Sequence, residues 1–329
     1  MFAWDRKKVL VTGAGGFIGS HLTERLFELG ANIRAFVRYT SRADDGFIKY
    51  FSDDLRRNIE IVYGDIRELE TVVKAMDGID IIFNLAALVG IPYSYQHPQE
   101  VIEVNTIGTL NVLMAARDAG IEKLIQTSTS EVYGTARYVP INEDHPKQPQ
   151  SPYSASKIAA DAVALSFYHS FDLPVVVIRP FNTYGPRQSD RAVIPSIISQ
   201  ALTKDRLTLG NTTPTRDFTF VTDTAEGFIK VAESESVGME INIGSGQEIS
   251  IEDLTRKILS LVGRDIVIEH DNERLRPALS EVERLCADNT KARNVLGWLP
   301  KVSLTHGLEE TIGFIKGNLD FYNPDKYRV

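Results

Sequence analysis

The chain has 329 residues, 43% of them hydrophobic and 24% charged, enough to bury a full core and more than one average domain requires. Its formal net charge of −8 argues against the broad basic surface that nucleic acid or an anionic membrane demands, while leaving room for a local basic pocket. The single cysteine, Cys286, can form no intrachain disulfide and reads as a structural thiol; with no signal-peptide stretch and no apolar run long enough to span a bilayer, the chain is expected in the cytoplasm.

From Lys8 onward, short β-branched runs alternate with helical stretches. KVLVTG, IRAFVR, IEIVYGD, IDIIFNLAA, KLIQTSTS and VVVIRP read as strands, with HLTERLFELG and the segments 99–119 and 153–171 as helices among them. Such alternation builds right-handed βαβ units. The expected fold is therefore α/β, a Rossmann-like doubly wound parallel sheet of six or seven strands over residues 1–180. Beyond Pro180 the rhythm changes, and short pieces such as EINIGS and IVIEH stand between helical segments 192–203, 223–233 and 251–262. Residues 181–329 are read as mainly a smaller substrate-binding lobe over the C-terminal edge of the sheet.

The segment VLVTGAGGFIGSHL sets Gly13, Gly16 and Gly19 directly after a strand and at the start of a helix, with Phe17 and Ile18 in the same turn. The first glycine permits a tight turn, the second lets the backbone approach a pyrophosphate, and the third lets helix and strand pack closely. Helix N-terminal N–H groups then face the phosphates. No carboxylate closes the second strand; Arg38 stands there with Arg42 nearby, a pattern that favours NADP over NAD. Asp65 and Ile66 follow the third strand, where adenine would lie, and Leu85, Ala86 and Ala87 end the fourth, where small residues would let the cofactor pass.

Tyr153 and Lys157 form a YxxxK pair, and four-residue spacing puts both on one helix face. The ammonium, together with an oxidised nicotinamide's positive charge, is expected to lower the phenol's pKa and make it a base. The six histidines show no metal-ligand spacing, so no metal site is expected.

These motifs, with NLAAL, TSTSEVYG, YSASK, RPFNTYGPRQ and RDFTFV, resemble the extended short-chain dehydrogenase/reductase family over nearly the whole chain. Within it, TSTSE and RPALSEVERL are similar to nucleotide-sugar 4,6-dehydratases of the GDP-mannose 4,6-dehydratase branch, and the general appearance to legionaminic-acid-pathway dehydratases acting on an N-acetylglucosamine nucleotide. The resemblance implies a homodimer through a four-helix interface of 99–119 and 153–171. It also implies that Thr129 hydrogen-bonds the sugar's 4-hydroxyl, that Tyr153 with Lys157 removes its proton, and that Glu131 takes the proton from carbon 5 before water leaves carbon 6. Some dehydratases of this kind carry Asp where this chain has Ser130, so Glu131 would serve as both base and acid with Ser130 orienting the hydroxyl. Ser94, Asn182, Arg187, Arg216 and Arg276 fall in segments that resemble the family's substrate-binding segments, and arginine suits a nucleotide diphosphate. The substrate classes left open are UDP- or GDP-N-acetylglucosamine and GDP-mannose. The rival readings are a nucleotide-sugar epimerase or UDP-glucuronate decarboxylase on the same scaffold, and a non-catalytic dinucleotide sensor. Glu131 disfavours the epimerase, and the four catalytic residues together disfavour the sensor.

Overall fold

The computed structural model describes residues 2–41, 44–271 and 277–322; Arg42 and Arg276 lie outside the described residues. Twelve strands are described: β1 (Lys8–Thr12), β2 (Asn32–Arg38), β3 (Glu60–Gly64), β4 (Ile81–Asn84), β5 (Lys123–Thr127), β6 (Val175–Pro180), β7 (Asn182–Tyr184), β8 (Arg206–Leu209), β9 (Thr215–Phe220), β10 (Met239–Ile243), β11 (Glu248–Ser250) and β12 (Val267–His270).

Seven of them make one sheet in the order β10-β6-β5-β4-β1-β2-β3, and every neighbouring pair is parallel. The strands are apolar on both faces because both faces are covered. In β1, Val9 and Val11 join Leu22 and Leu26 of the helix Phe17–Glu28 and Phe228 of the helix Val221–Glu233, while Leu10 joins Val112 and Leu113 of Gly108–Ala119 and Phe167 of Pro152–Phe171. The strand order reverses about β1, so a crevice opens between the C-terminal ends of β1 and β4, the place where open α/β sheets bind ligands.

The seventh strand comes from beyond Pro180. EINIGS, read as a piece of the second lobe, supplies β10, which pairs with β6 from Met239↔Val176 to Ile243↔Pro180. Part of that half, the helix Val221–Glu233 with Ala292, Leu296 and Trp298, packs on the main sheet, and another part forms a second core, in which Ile197, Ile198, Leu254, Ile258 and Leu308 bring together the helices Val193–Thr203, Ile251–Val262 and Leu304–Gly317. A three-stranded sheet (β11-β9-β7) and the β12-β8 pair complete it. Cys286 is buried, and burial, reinforced by the charges of Asp217 and Glu248, pushes its thiol up to about 11. No helix among the described residues is long and apolar enough to cross a membrane.

Candidate active site

The glycine turn occupies the crevice. Gly13 adopts φ +71°, and a Cβ there would meet the Ala86 nitrogen at 3.0 Å; one on Gly19 would stand 2.2 Å from the Gly13 carbonyl oxygen. Both glycines are therefore demanded by close backbone approach. Gly16 caps the helix Phe17–Glu28 without any side-chain hydrogen bond, so the first-turn N–H groups remain available to an anion. Phe17 and Ile18 point elsewhere, packing against the core of the second lobe.

The opposite wall is held by a buried polar chain. Thr12 Oγ1 accepts from the Leu85 and Ala86 nitrogens (3.0 and 3.1 Å) and donates to Asn84 Oδ1 (2.7 Å), and Asn84 Nδ2 donates to Gln126 Oε1 (2.7 Å). Past Ala87, Asn105 brackets Leu88, accepting from its nitrogen at 2.8 Å and donating to its carbonyl at 2.9 Å. Asn105 lies in a π-helical turn, Glu103–Ile107, a widening that frequently marks functional sites. Leu85–Ala87 is thus a rigid rim facing the glycine turn.

Beyond the ends of β2 and β3 a cavity of about 590 Å³ is lined by Arg38, Tyr39, Thr40, Tyr63, Gly64, Asp65, Arg67, Glu68 and Thr71. Arg67 grips the Asp65 carboxylate (Nη2–Oδ2 2.6 Å), and that hydrogen bonding holds Asp65 below the usual carboxylate range against the opposing effect of burial. Arg38 is exposed at the rim. Ile66 turns inward instead, where a Cβ on Gly108 would lie 2.6 Å from its Cδ1. Turn, rim and cavity together fit a dinucleotide: phosphates at the helix N-terminus, adenosine between β2 and β3.

The helix Pro152–Phe171 begins with a capping box between Ser151 and Ser154 and with Pro152 at its first position, which places Tyr153 and Lys157 on the first turns facing the end of β5. Both are buried. The Thr129 hydroxyl lies close enough to the Tyr153 phenol to act on its ionisation. Lys157 Nζ donates to the Thr127 carbonyl at 2.6 Å. Thr129 Oγ1 also accepts from the Glu131 nitrogen (3.2 Å), capping the short turn Ser130–Tyr133 and setting Glu131 on the Tyr153 side. Ser130 is buried within that turn. The Glu131 carboxylate is half-buried and takes no hydrogen bond or ion pair from the described residues.

Burial pushes the Tyr153 phenol well above its ordinary value; the Thr129 hydroxyl opposes this, and the charges of Glu131 and Asp161 add to it. The lowered phenol expected from Lys157 is not found among the chain's own groups. Burial brings Lys157 itself down to about 8, with Asp161 pulling the other way. A tyrosinate here needs positive charge from outside the chain.

The residues assigned to the nucleotide sugar separate. Asn182 opens β7 with a buried Oδ1 that has no hydrogen-bond partner among the described residues. Arg216 is buried, bonding the Thr215 carbonyl (2.9 Å) and pairing with Glu281 (3.4 Å). Ser94 is fully buried, its hydroxyl donating to the Ile91 carbonyl at 2.6 Å within its own helix. Arg187 departs furthest from expectation: both Nη groups bind Glu24 at 2.8 Å and the guanidinium lies over Tyr50 and Phe51, so its fork is committed inside the protein.

Sequence reasoning missed a charged network beneath Lys157. Asp161 and Arg179 are both fully buried and joined at 3.0 Å. Ser128 donates to Asp161 Oδ2 at 2.7 Å, Arg179 Nη1 to Tyr133 Oη at 2.9 Å, and Arg179 also meets Glu240. The signal was an Asp inside AADAVA and an Arg ending VVVIRP, charges in apolar runs that burial obliges to pair. No cluster of three or more potential metal ligands exists among the described residues.

Residues 10–311 match the family model described as GDP-mannose 4,6 dehydratase. The chain is 35% identical over 315 residues to a UDP-glucose 4-epimerase of Mycolicibacterium smegmatis, covering 94% of this chain and 98% of that protein. It is 32% identical over 331 residues to UDP-glucuronic acid decarboxylase 1 of Xenopus tropicalis, covering 98% of this chain and 75% of that one. Among solved structures, DesIV, a dTDP-glucose 4,6-dehydratase from Streptomyces venezuelae with NAD bound, aligns with a TM-score of 0.86 and 29% identity over 97% of this chain and 100% of that one.

Proposed function

The chain belongs to the GDP-mannose 4,6-dehydratase family, enzymes acting on nucleotide sugars within the extended short-chain dehydrogenases/reductases, and from that membership we propose that it is a nucleotide-sugar 4,6-dehydratase. The observation that carries this reading is Glu131: a carboxylate unpaired among the described residues, on the turn that Thr129 caps and near enough to Tyr153 to act on it by charge. Relatives of this chain include an epimerase, a decarboxylase and a dehydratase, so similarity favours none of the three reactions. A 4-epimerase has no need of a base aimed at carbon 5, whereas dehydration does.

Thr129 holds the sugar's 4-hydroxyl, and Tyr153 removes its proton while the Lys157 ammonium stabilises the developing phenolate. A nicotinamide dinucleotide, held by the Gly13–Gly19 turn and the Leu85–Ala87 rim, would supply the hydride acceptor for carbon 4 and the hydride donor for carbon 6. The resulting 4-keto group acidifies the carbon 5 proton. Glu131 takes that proton and, with no second carboxylate at Ser130, delivers it to the 6-hydroxyl, which departs as water; once carbon 6 has its hydride back, Glu131 passes a solvent proton to carbon 5, and the proton held by Tyr153 returns to solvent. The product is a 4-keto-6-deoxy nucleotide sugar.

The cofactor we infer is NADP in preference to NAD. Arg38 stands at the cavity rim, and Asp65 is neutralised by Arg67, so a 2′-phosphate finds cation rather than carboxylate. The assembly is a homodimer through 99–119 and 153–171, where Ile102 and Ile107 lie exposed; a monomeric mass by light scattering contradicts it. Incubating the protein with UDP- and GDP-N-acetylglucosamine, GDP-mannose and UDP-glucuronate and weighing the products tests the reaction. Loss of water supports the dehydratase, loss of carbon dioxide the decarboxylase, and an unchanged mass with a new stereoisomer the epimerase.

A further inference from the structure

Asp161 follows Lys157 by one helical turn on the same face. Its carboxylate is completely buried, accepts from Ser128 Oγ at 2.7 Å and from Arg179 Nη2 at 3.0 Å, and leaves Oδ1 with no hydrogen bond among the described residues. Ser128 sits between two residues of the site. Its predecessor, Thr127, offers the carbonyl that receives Lys157 Nζ, and its successor, Thr129, has its hydroxyl close to Tyr153. One carboxylate therefore ties the strand end through Ser128 and, one helical turn from Lys157, acts on its ammonium by charge. Arg179 does not depend on Asp161 alone, since Glu240 and Tyr133 also engage it.

We propose that Asp161 is a positioning residue of this site: its carboxylate ties the strand end Thr127–Thr129 to the catalytic helix and is the counter-charge that keeps Lys157 an ammonium in a buried setting. The charged and titratable groups around the pair are Tyr153 on their own helix, Glu131 and Tyr133 on the turn after β5, Arg179 on β6 and Glu240 on β10. Among the described residues Lys157 Nζ has the Thr127 carbonyl as its acceptor; burial pushes the Asp161 carboxyl itself up, and Arg179, Ser128 and Lys157 act to keep it ionised. Asp161 is the carboxylate nearest in sequence register to offset burial, and it acts in that direction on Lys157. Without it, the ammonium loses its proton at lower pH, and turnover that needs the ammonium fails earlier as pH rises.

The inference rests on reading Tyr153 and Lys157 as the catalytic pair, but its test does not need a substrate. Titration of the Lys157 ε-carbon by NMR in protein labelled with ¹³C-lysine, assigned by its loss in Lys157→Arg, reads the ammonium directly. In the unaltered protein the midpoint is expected near 8; a midpoint below pH 7 overturns the counter-charge role without any variant having to fold. In Asp161→Asn the midpoint falls by about one unit or more, as loss of a near opposite charge requires. An unmoved midpoint in folded Asp161→Asn overturns the proposal. Ser128→Ala, which removes the tie and keeps the charge, leaves the midpoint in place and lowers kcat several-fold at unchanged KM; unchanged kcat contradicts the tie. A protein that converts no nucleotide sugar refutes the dehydratase reading and leaves the titration to decide on Asp161.

Discussion

Two clusters of charge among the described residues, one at Arg187 and one beneath Lys157, differ in how their carboxylates are engaged. Between the helix Phe17–Glu28 and the turn at Pro186, Arg187 adopts φ 70°, binds Glu24 with both Nη groups at 2.8 Å, stacks over Tyr50 and Phe51, and has beside it His21, whose Nε2 lies 3.0 Å from the Pro186 carbonyl. Beneath the helix Pro152–Phe171, the groups are only partly satisfied: Glu131 is unpaired, Lys157 has one acceptor, and Asp161 Oδ1 has none among the described residues. Each cluster leaves a buried polar atom without a hydrogen bond among the described residues, Arg187 Nε in the one and Asp161 Oδ1 in the other. What distinguishes the second is the half-buried Glu131 carboxylate, which none of the described residues engages.

Mutations that separate the two clusters should act on different observables. Tyr153→Phe is expected to lower turnover by about 10²–10⁴-fold while leaving dinucleotide affinity unchanged, because it deletes proton transfer and little else; calorimetric loss of cofactor binding would show the hydroxyl belongs to the pocket instead. Glu131→Gln should stop loss of water by about 10²-fold or more yet preserve proton and hydride exchange at carbon 4. Both variants should melt close to the parent, since neither carries a fold-supporting contact that the structure lacks elsewhere.

Arg187→Ala should do the reverse. Removing one partner of a buried ion pair costs about 3–5 kcal/mol of stability, read as a lower midpoint in urea, with turnover at saturating substrate nearly intact. Weakened nucleotide-sugar binding at unchanged stability would return Arg187 to the phosphate site. A smaller effect comes from His21. Burial, reinforced by Arg187, lowers it to about 4 from its ordinary 6.5. The folded protein thus holds it neutral, so its contribution is complete above pH 6.5 and is lost as pH falls toward 4, by roughly 3 kcal/mol. His21→Gln should flatten Tm across that window, and an unchanged slope would assign the acid lability to other groups.

The parts of this design that sequence displays are those that depend on local backbone or on fixed spacing. Gly13 and Gly19 are legible because no other residue fits their turn, and Tyr153 with Lys157 because helical geometry fixes their common face. β10 was not, since EINIGS is too short to tell whether it pairs with β6 or within the second lobe. Nor were the partners of Ser94 and Arg187 legible, because they lie within the same turn or far along the chain, the Ile91 carbonyl for Ser94 and Glu24 for Arg187. Asp161 and Arg179 announced themselves only as charges in apolar runs; their pairing is tertiary. The rise of the Tyr153 phenol among the chain's own groups was not legible either, because burial, its largest cause, depends on the whole fold.

The claim on which the rest depends is that Glu131 is the base at carbon 5 of a nucleotide sugar. It is tested most directly by running the reaction in deuterated water with the nucleotide hexose that the product screen identifies, for the unaltered protein and for Glu131→Gln. The account predicts a dehydrated 4-keto-6-deoxy product carrying deuterium at carbon 5 from the unaltered protein, and neither water loss nor deuterium incorporation there from the variant. Dehydration with deuterium at carbon 5 persisting in Glu131→Gln, or carbon dioxide released from UDP-glucuronate by the unaltered protein, would contradict it.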